Sequence, residues 1–449
     1  MKRILLLLAL ATGTLLGACT GDSKFPVATG KASVSAINAI HASSIVNFLI
    51  EERPLNQINY KEATSSESFD DLDFTFSFDV FFAGDAQPTR IASEHIDFIA
   101  DQHYTILASG TVAAPTLTVW EWPEREFADT DTVFQARFAH TADSLSAIAV
   151  DVYFALEGVA PVAGAEVATL NFGEVSGPLD FEADDYVVII TSSGNPGDIR
   201  FTSKPTTVFA RDELIVTPFD GDANDTQALV ISGLRALGGA IPFQDEFAFS
   251  TLQFLHASID MGVSDVFDDV DLTSQILTGH AFQELTADAP IAAGDHDFFY
   301  TPTLDTTMVS LETGFTAING LHFRVIASGI GGTYFGTAAL VNRRSIDTAA
   351  KLLYFVPSDN VDFSDLYLID ADAVFADQNP LLTALLSHAV NPAIEIAPGS
   401  YDMYITAFQE KEVLAGPFRL DVALGDVVDM VVYDTVDPAV MEIVTYPIP

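Results

Sequence analysis

Asp73-Phe74-Thr75-Phe76-Ser77-Phe78-Asp79-Val80-Phe81-Phe82 alternates: Phe74, Phe76, Phe78, Val80 and Phe82 fall on one face, and Thr75, Ser77 and Asp79 on the other. A side-chain period of two belongs to a β-strand with one face buried and one wet. Working outward, the chain is a succession of strand-like segments of roughly 5–9 residues, separated by Gly, Pro, Asn and Asp turns. Asp184-Asp185-Tyr186-Val187-Val188-Ile189 and Gly399-Ser400-Tyr401-Asp402-Met403-Tyr404 are examples, each an acidic or glycine turn that leads into an aromatic-rich strand. Helical periodicity is scarce, and only Leu381 to Val390 is expected to form a short helix. The expected class is all-β, an antiparallel sandwich whose apolar burial, worth roughly 25 cal/mol per Å², suffices without metal or disulfide.

The same landmarks recur. Ala39-Ile40-His41-Ala42-Ser43, Arg137-Phe138-Ala139-His140-Thr141 and Gln253-Phe254-Leu255-His256-Ala257-Ser258 each end an apolar strand, and Tyr354-Phe355-Val356-Pro357-Ser358 does so with Val356 in the histidine's place. The steps are 99, 116 and 100 residues, the size of a sandwich domain, not a propeller blade or short solenoid repeat. A second landmark follows at Asp151-Val152-Tyr153, Asp265-Val266-Phe267 and Asp365-Leu366-Tyr367. In the first copy Asp79-Val80-Phe81 takes that part, with a polar insertion from Glu51 to Asp71 between the two landmarks. The expected division is a signal peptide with lipobox over 1–19, a tether over 20–33, and four sandwich repeats over 34–126, 127–241, 242–345 and 346–449.

The second copy runs from His140 through Val150-Asp151-Val152-Tyr153 and Asn171-Phe172-Gly173-Glu174-Val175-Ser176 to Ala183–Ile189. It resembles the bacterial domain of unknown function 4397 family, whose members carry a His-Ala-Ser-Pro strand, a Val-Asp-Val-Tyr strand and a Phe-Gly-x-Val-Ser turn. The resemblance implies tandem immunoglobulin-like sandwiches in a secreted, often repeated, envelope protein, and it implies no activity. It is fullest for the second copy. The first has its insertion, the third lacks a clear Phe-Gly-x-Val-Ser turn, and the fourth lacks the histidine.

Lys2 and Arg3 precede the apolar run Ile4–Leu16, which is too short to span a bilayer stably and suits a signal-peptide core. The run closes at Leu16-Gly17-Ala18-Cys19, which resembles the lipobox of bacterial lipoproteins, and Cys19 is the only cysteine in 449 residues. Lipidation of Cys19 is expected, with the membrane as a partner through that anchor. Thr20, rather than Asp, points by the same resemblance to the outer membrane. Cleavage before Cys19 removes two of the 19 basic residues and leaves 17 against 63 acidic ones, a net charge of −46. Phosphate backbones are repelled by such a chain, so nucleic acid is excluded as a partner. A hydrophobic fraction of 49% argues against disorder despite the charge.

No constellation reads as catalytic, and the chain is expected not to be an enzyme: there is no Gly-x-Ser-x-Gly elbow, and the lone cysteine is committed to lipid. His41, His140 and His256 invite a zinc reading, but one histidine per domain at one structural position suits a strand-end group bonded to backbone better than convergent ligands. The aspartates of the second landmark are expected to be solvated or to bind turns. Gly329-Ile330-Gly331-Gly332-Thr333-Tyr334 begins like a phosphate loop, yet Tyr334 fills the third glycine's place, and a hairpin is simpler. Asp220, Asp222, Asn224 and Asp225 place oxygens as calcium loops do, although Ile231 stands where a twelfth-position Glu is needed. The alternative for that segment is a hairpin turn. Trp120 and Trp122, the only tryptophans, share one face of their strand opposite Leu117 and Val119. They are either an exposed platform for a glycan or protein ligand or part of a core or interdomain contact. The expected role is a non-enzymatic surface structural or adhesion module; the alternative is a periplasm-facing assembly or enzyme-accessory factor.

Overall fold

The computed structural model describes residues 26–221, 228–437 and 439–448; the signal segment with Cys19, the start of the tether, and Asp222, Asn224 and Asp225 lie outside them. Among the described residues the regular structure is β-strand, with two 3₁₀ turns at Asp143–Leu145 and Phe375–Asp377. The chain folds as tandem β-sandwiches. In the first, β1 (Lys31–Asn38), β2 (Val46–Ile50), β3 (Arg53–Ile58), β4 (Glu67–Asp70), β5 (Asp73–Val80), β6 (Thr89–Asp97), β7 (Gln102–Thr111) and β8 (Ala114–Pro123) form two sheets, ordered β4-β1-β7-β8 and β3-β2-β5-β6. Every pairing is antiparallel except that of β1 with β7.

The same order returns three times, in strands spanning 133–243, 250–340 and 350–446, each with its parallel first-to-seventh pairing. The second module adds two short strands, Thr206–Val208 and Ala240–Phe243. Each core lies between its two sheets. In the first module Phe48, Phe76, Phe78 and Val80 meet Val34, Ala36, Tyr104 and Ile106, which confirms the apolar face of the alternating strand.

The other face of that strand is not wet. β5 is central, flanked by β2 and β6, and Ser77 and Asp79 are buried; Asp79 receives the Arg90 Nε–H at 3.0 Å. The strand order also re-registers the first copy. β2 stands where Val150–Leu156, Ser264–Phe267 and Phe363–Asp370 stand in the other modules. The counterpart of Asp151, Asp265 and Asp365 is therefore Asn47, not Asp79, and residues 51–71 are not an insertion but carry β3 and β4. The helix expected over Leu381 to Val390 is absent: Leu382–Leu386 is a strand paired with Phe363–Asp370. Cross-strand pairing outweighs the helical bias of its leucines and alanine, and a register shift places Ala384 at φ 57°.

Candidate functional site

In each of the first three modules the end of the first strand clasps a short turn. In the second module the His140 N–H donates to Glu174 O at 3.1 Å, Gly173 N–H donates to His140 O at 2.8 Å, and Ser176 Oγ accepts from Phe138 N–H at 3.0 Å. His256 makes the same bonds with Glu284 and Gln283, and Thr286 Oγ1 replaces the serine. The third module therefore has the turn that its sequence hid, as Phe282-Gln283-Glu284-Leu285-Thr286, with Gln283 at φ 65° where the second has Gly173 at φ 81°. In the first module the bonds join Asn38, Lys61 and Glu62, and Thr64 Oγ1 accepts from Ala36 N–H. Asn38, not His41, is thus the residue equivalent to His140.

The histidines are structural. His140 Nε2–H donates to Leu145 O at 3.3 Å and His256 Nε2–H to Gly262 O at 2.8 Å, each inside its own module. Burial lowers both, His256 to about 4, with the His256–Gly262 bond opposing. His41 is partly exposed and donates across to Gly221 O of the second module at 2.8 Å. Among the described residues no three His, Cys, Asp or Glu side chains are grouped to hold a metal.

The landmark aspartates are buried, against the expectation of solvated side chains, and they do bind turns. Asp265 accepts from Gly279 N–H at 2.8 Å and Leu304 N–H at 3.1 Å. Asp365 accepts from Ala384 and Gln409 N–H, both at 2.9 Å. Asp151 accepts from Thr169 Oγ1–H at 2.6 Å and Gly194 N–H at 2.7 Å. Gly194, Gly279, Leu304, Ala384 and Gln409 all have positive φ, a conformation that glycine adopts freely and that Leu304, Ala384 and Gln409 resist, so the carboxylates anchor bends in the left-handed region.

Trp120 and Trp122 are buried, at 5% and 7% exposure, so the exposed platform is corrected. Leu117 and Val119 do pack on their module's core, which turns the indoles outward. The outer face of the second module's sheet then covers them. Ile37, Leu107, Trp120 and Trp122 meet Ala139, Ile215, Phe219 and Leu234, and the Trp120 indole N–H donates to Gly173 O at 2.9 Å. The third and fourth modules share an equivalent seam, in which Leu255, Ala257 and Ile326 meet Phe355, Val431 and Tyr433. There Tyr446 O–H donates to Gln283 O at 2.9 Å, from the eighth strand to the partner module's turn as Trp120 does.

Sequence reading missed the charges inside these seams. Arg324 makes a bidentate contact with Asp429 across the second seam, one arm at 3.0 Å, and a further Nη2–H bond to Gln253 Oε1 at 3.0 Å; all three residues are buried. In the first seam the Arg137 guanidinium lies 4.2 Å from the Trp122 ring centre and donates to Glu213 Oε1 at 2.8 Å. Burial raises Glu213, and Arg137 opposes the rise. The available signal was a lone arginine inside an apolar strand, in Phe134-Gln135-Ala136-Arg137-Phe138 and Phe323-Arg324-Val325.

Of the calcium candidates only Asp220 is described. Its carboxylate accepts from the Asp143 N–H at 2.9 Å and from Ser144 N–H and Oγ–H, so it holds the start of the 3₁₀ turn. Gly331-Gly332 forms the two-residue hairpin between His322–Ile330 and Thr333–Leu340, at φ 70° and 84°.

No protein-family model matches the chain, and no curated protein does. Among solved structures, 91% of the chain is aligned to 69% of the Bacillus anthracis TIE protein at 10% identity. The TM-score of that alignment is 0.16, which carries no argument about fold or function.

Proposed function

We propose that the chain is a non-enzymatic envelope lipoprotein that works as a surface spacer or binding module of the outer membrane, and that its sandwiches belong to the domain of unknown function 4397 family. The support for the family is the set of residues quoted above, to which the hidden turn of the third module adds a second copy. Support for the anchor is the Leu16-Gly17-Ala18-Cys19 stretch with its single cysteine. The observation that carries the non-enzymatic role is how the repeated polar residues are spent: His140, His256, Asp151, Asp265 and Asp365 each bind backbone or a hydroxyl of their own module. Groups so engaged hold loops in place and are not poised for proton transfer. Ligands would be a glycan or protein met by the loops at the sandwich ends.

Two measurements test the reading. Mass spectrometry of the membrane-extracted protein is expected to find acyl chains on residue 19, and Cys19→Ala to release the chain into the soluble fraction. Protease added to intact cells is expected to degrade the sandwiches; full protection would turn the reading to a periplasm-facing assembly or enzyme-accessory role.

A further inference from the structure

We propose that a cavity of about 270 Å³ beside the link between the first two modules binds a small oxyanion, a carboxylate, sulfate or phosphate group, through Arg125, Arg211 and Arg235. The three arginines come from separate elements. Arg125 lies in the segment that follows β8, Arg211 in the turn before the strand Glu213–Asp220, and Arg235 at the end of the strand Leu229–Arg235. Folding thus brings three of the chain's 19 basic residues to one concavity in a molecule with 63 acidic ones.

The carboxylates nearby do not use these guanidinium groups up. Glu213 lines the cavity but is engaged by Arg137 at 2.8 Å. Asp212 receives Arg235 Nε and Nη2, both at 3.3 Å. Arg211 reaches Asp129 at 3.3 Å, and that aspartate is fully exposed. Arg125 lies 3.4 Å from Asp180. Charge-assisted N–H···O bonds are ordinarily about 2.7–2.9 Å, so each contact is long. Among the described residues the buried Arg125 Nε–H has no hydrogen-bond partner, so this guanidinium has a donor whose desolvation a further acceptor would offset. Phe127 lies under the same guanidinium at 4.9 Å and holds its plane. A forked donor so held matches two oxygens of one anion. The volume admits an anionic group with at most one small ring, below the usual range of drug-sized pockets.

The site is independent of where the chain is anchored. The test is calorimetric titration of the chain from residue 20 onward with sodium phosphate, sodium sulfate and sodium glucuronate at constant ionic strength, with glucose as the neutral control. Saturable binding of at least one anion and none of glucose is expected. Binding of glucuronate alone assigns the group to a sugar acid, and binding of phosphate or sulfate alone to a tetrahedral oxyanion. Arg125→Gln is expected to weaken binding by about tenfold or more. Arg211→Asn should do likewise, asparagine being chosen because the backbone there has φ 67°. Both variants should melt as the parent does. Absence of saturable heat from all three anions, or binding that both variants leave unchanged, would overturn the proposal.

Discussion

At the scale of the residue, Asp265 shows how one side chain can fix a module's shape. Both of its oxygens accept backbone N–H groups from two bends, so Asp265→Ala removes a buried carboxylate's bonds to two part-buried donors. A cost of about 3 kcal/mol is expected in the denaturation midpoint. Asp265→Asn should cost less, about 1 kcal/mol, since the first module uses Asn47 at this place and still takes the Gln57 amide at 3.1 Å. His256 supplies a pH dependence. Burial holds its folded value near 4 against an ordinary 6.5, so between those values the unfolded chain takes up the proton and the folded one does not. Its contribution is whole above pH 6.5 and is lost as pH falls towards 4, on the order of 3 kcal/mol. Melting curves across that window should separate wild type from His256→Gln, whose amide can still donate to Gly262 O, with the variant losing less stability on acidification. The aspartate landmark was legible in sequence, but its burial was not. Alternation marks a face as opposite to the core, and it does not say whether neighbouring strands and loops will cover that face.

At the scale of the element, the strands were legible wherever alternation was strict, and the turns only where glycine marked them. Gly173 announced its turn; Lys61 and Gln283 hold the same positive-φ position without announcing it, because tertiary bonds from Asn38 and His256 supply what the residue lacks. Leu382–Leu386 read as helix for the same reason, since its strand character comes from a partner 16 to 23 residues away in sequence. The seams carry the sharpest element-level prediction. Arg324→Ala leaves Asp429 buried and unpaired, and a loss of about 3–5 kcal/mol is expected. Arg324→Met combined with Asp429→Leu should recover most of it, because two apolar groups restore packing without an orphaned charge. Chemical denaturation of the single and double variants measures both.

At the scale of the whole molecule, the sandwiches are not four beads on a string. The first pairs back to back with the second, and the third with the fourth, each through the sheet that contains the parallel first and seventh strands. The two pairs are joined where Arg344 Nη1 donates to His41 O at 2.7 Å and Ser43 O at 2.8 Å, and Asp347 N–H to Ala42 O at 2.8 Å. The repetition of the fold was legible in the landmarks, but the pairing was not. Outer sheet faces bear Ser33, Ser35, His103 and Thr105, which are polar residues that pass for solvent-facing ones yet are buried. If pairing stabilises the modules, residues 26–243 should fold as one cooperative unit, and residues 26–123 alone should melt lower and expose apolar surface to a dye.

Acrylamide quenching of tryptophan emission in the intact chain tests the back-to-back arrangement most directly, because both tryptophans sit in the first seam and nowhere else. Blue-shifted emission that resists the quencher is the result the paired sheets require. Red-shifted emission, quenched as freely as indole in water, would mean that the first and second sandwiches stand apart.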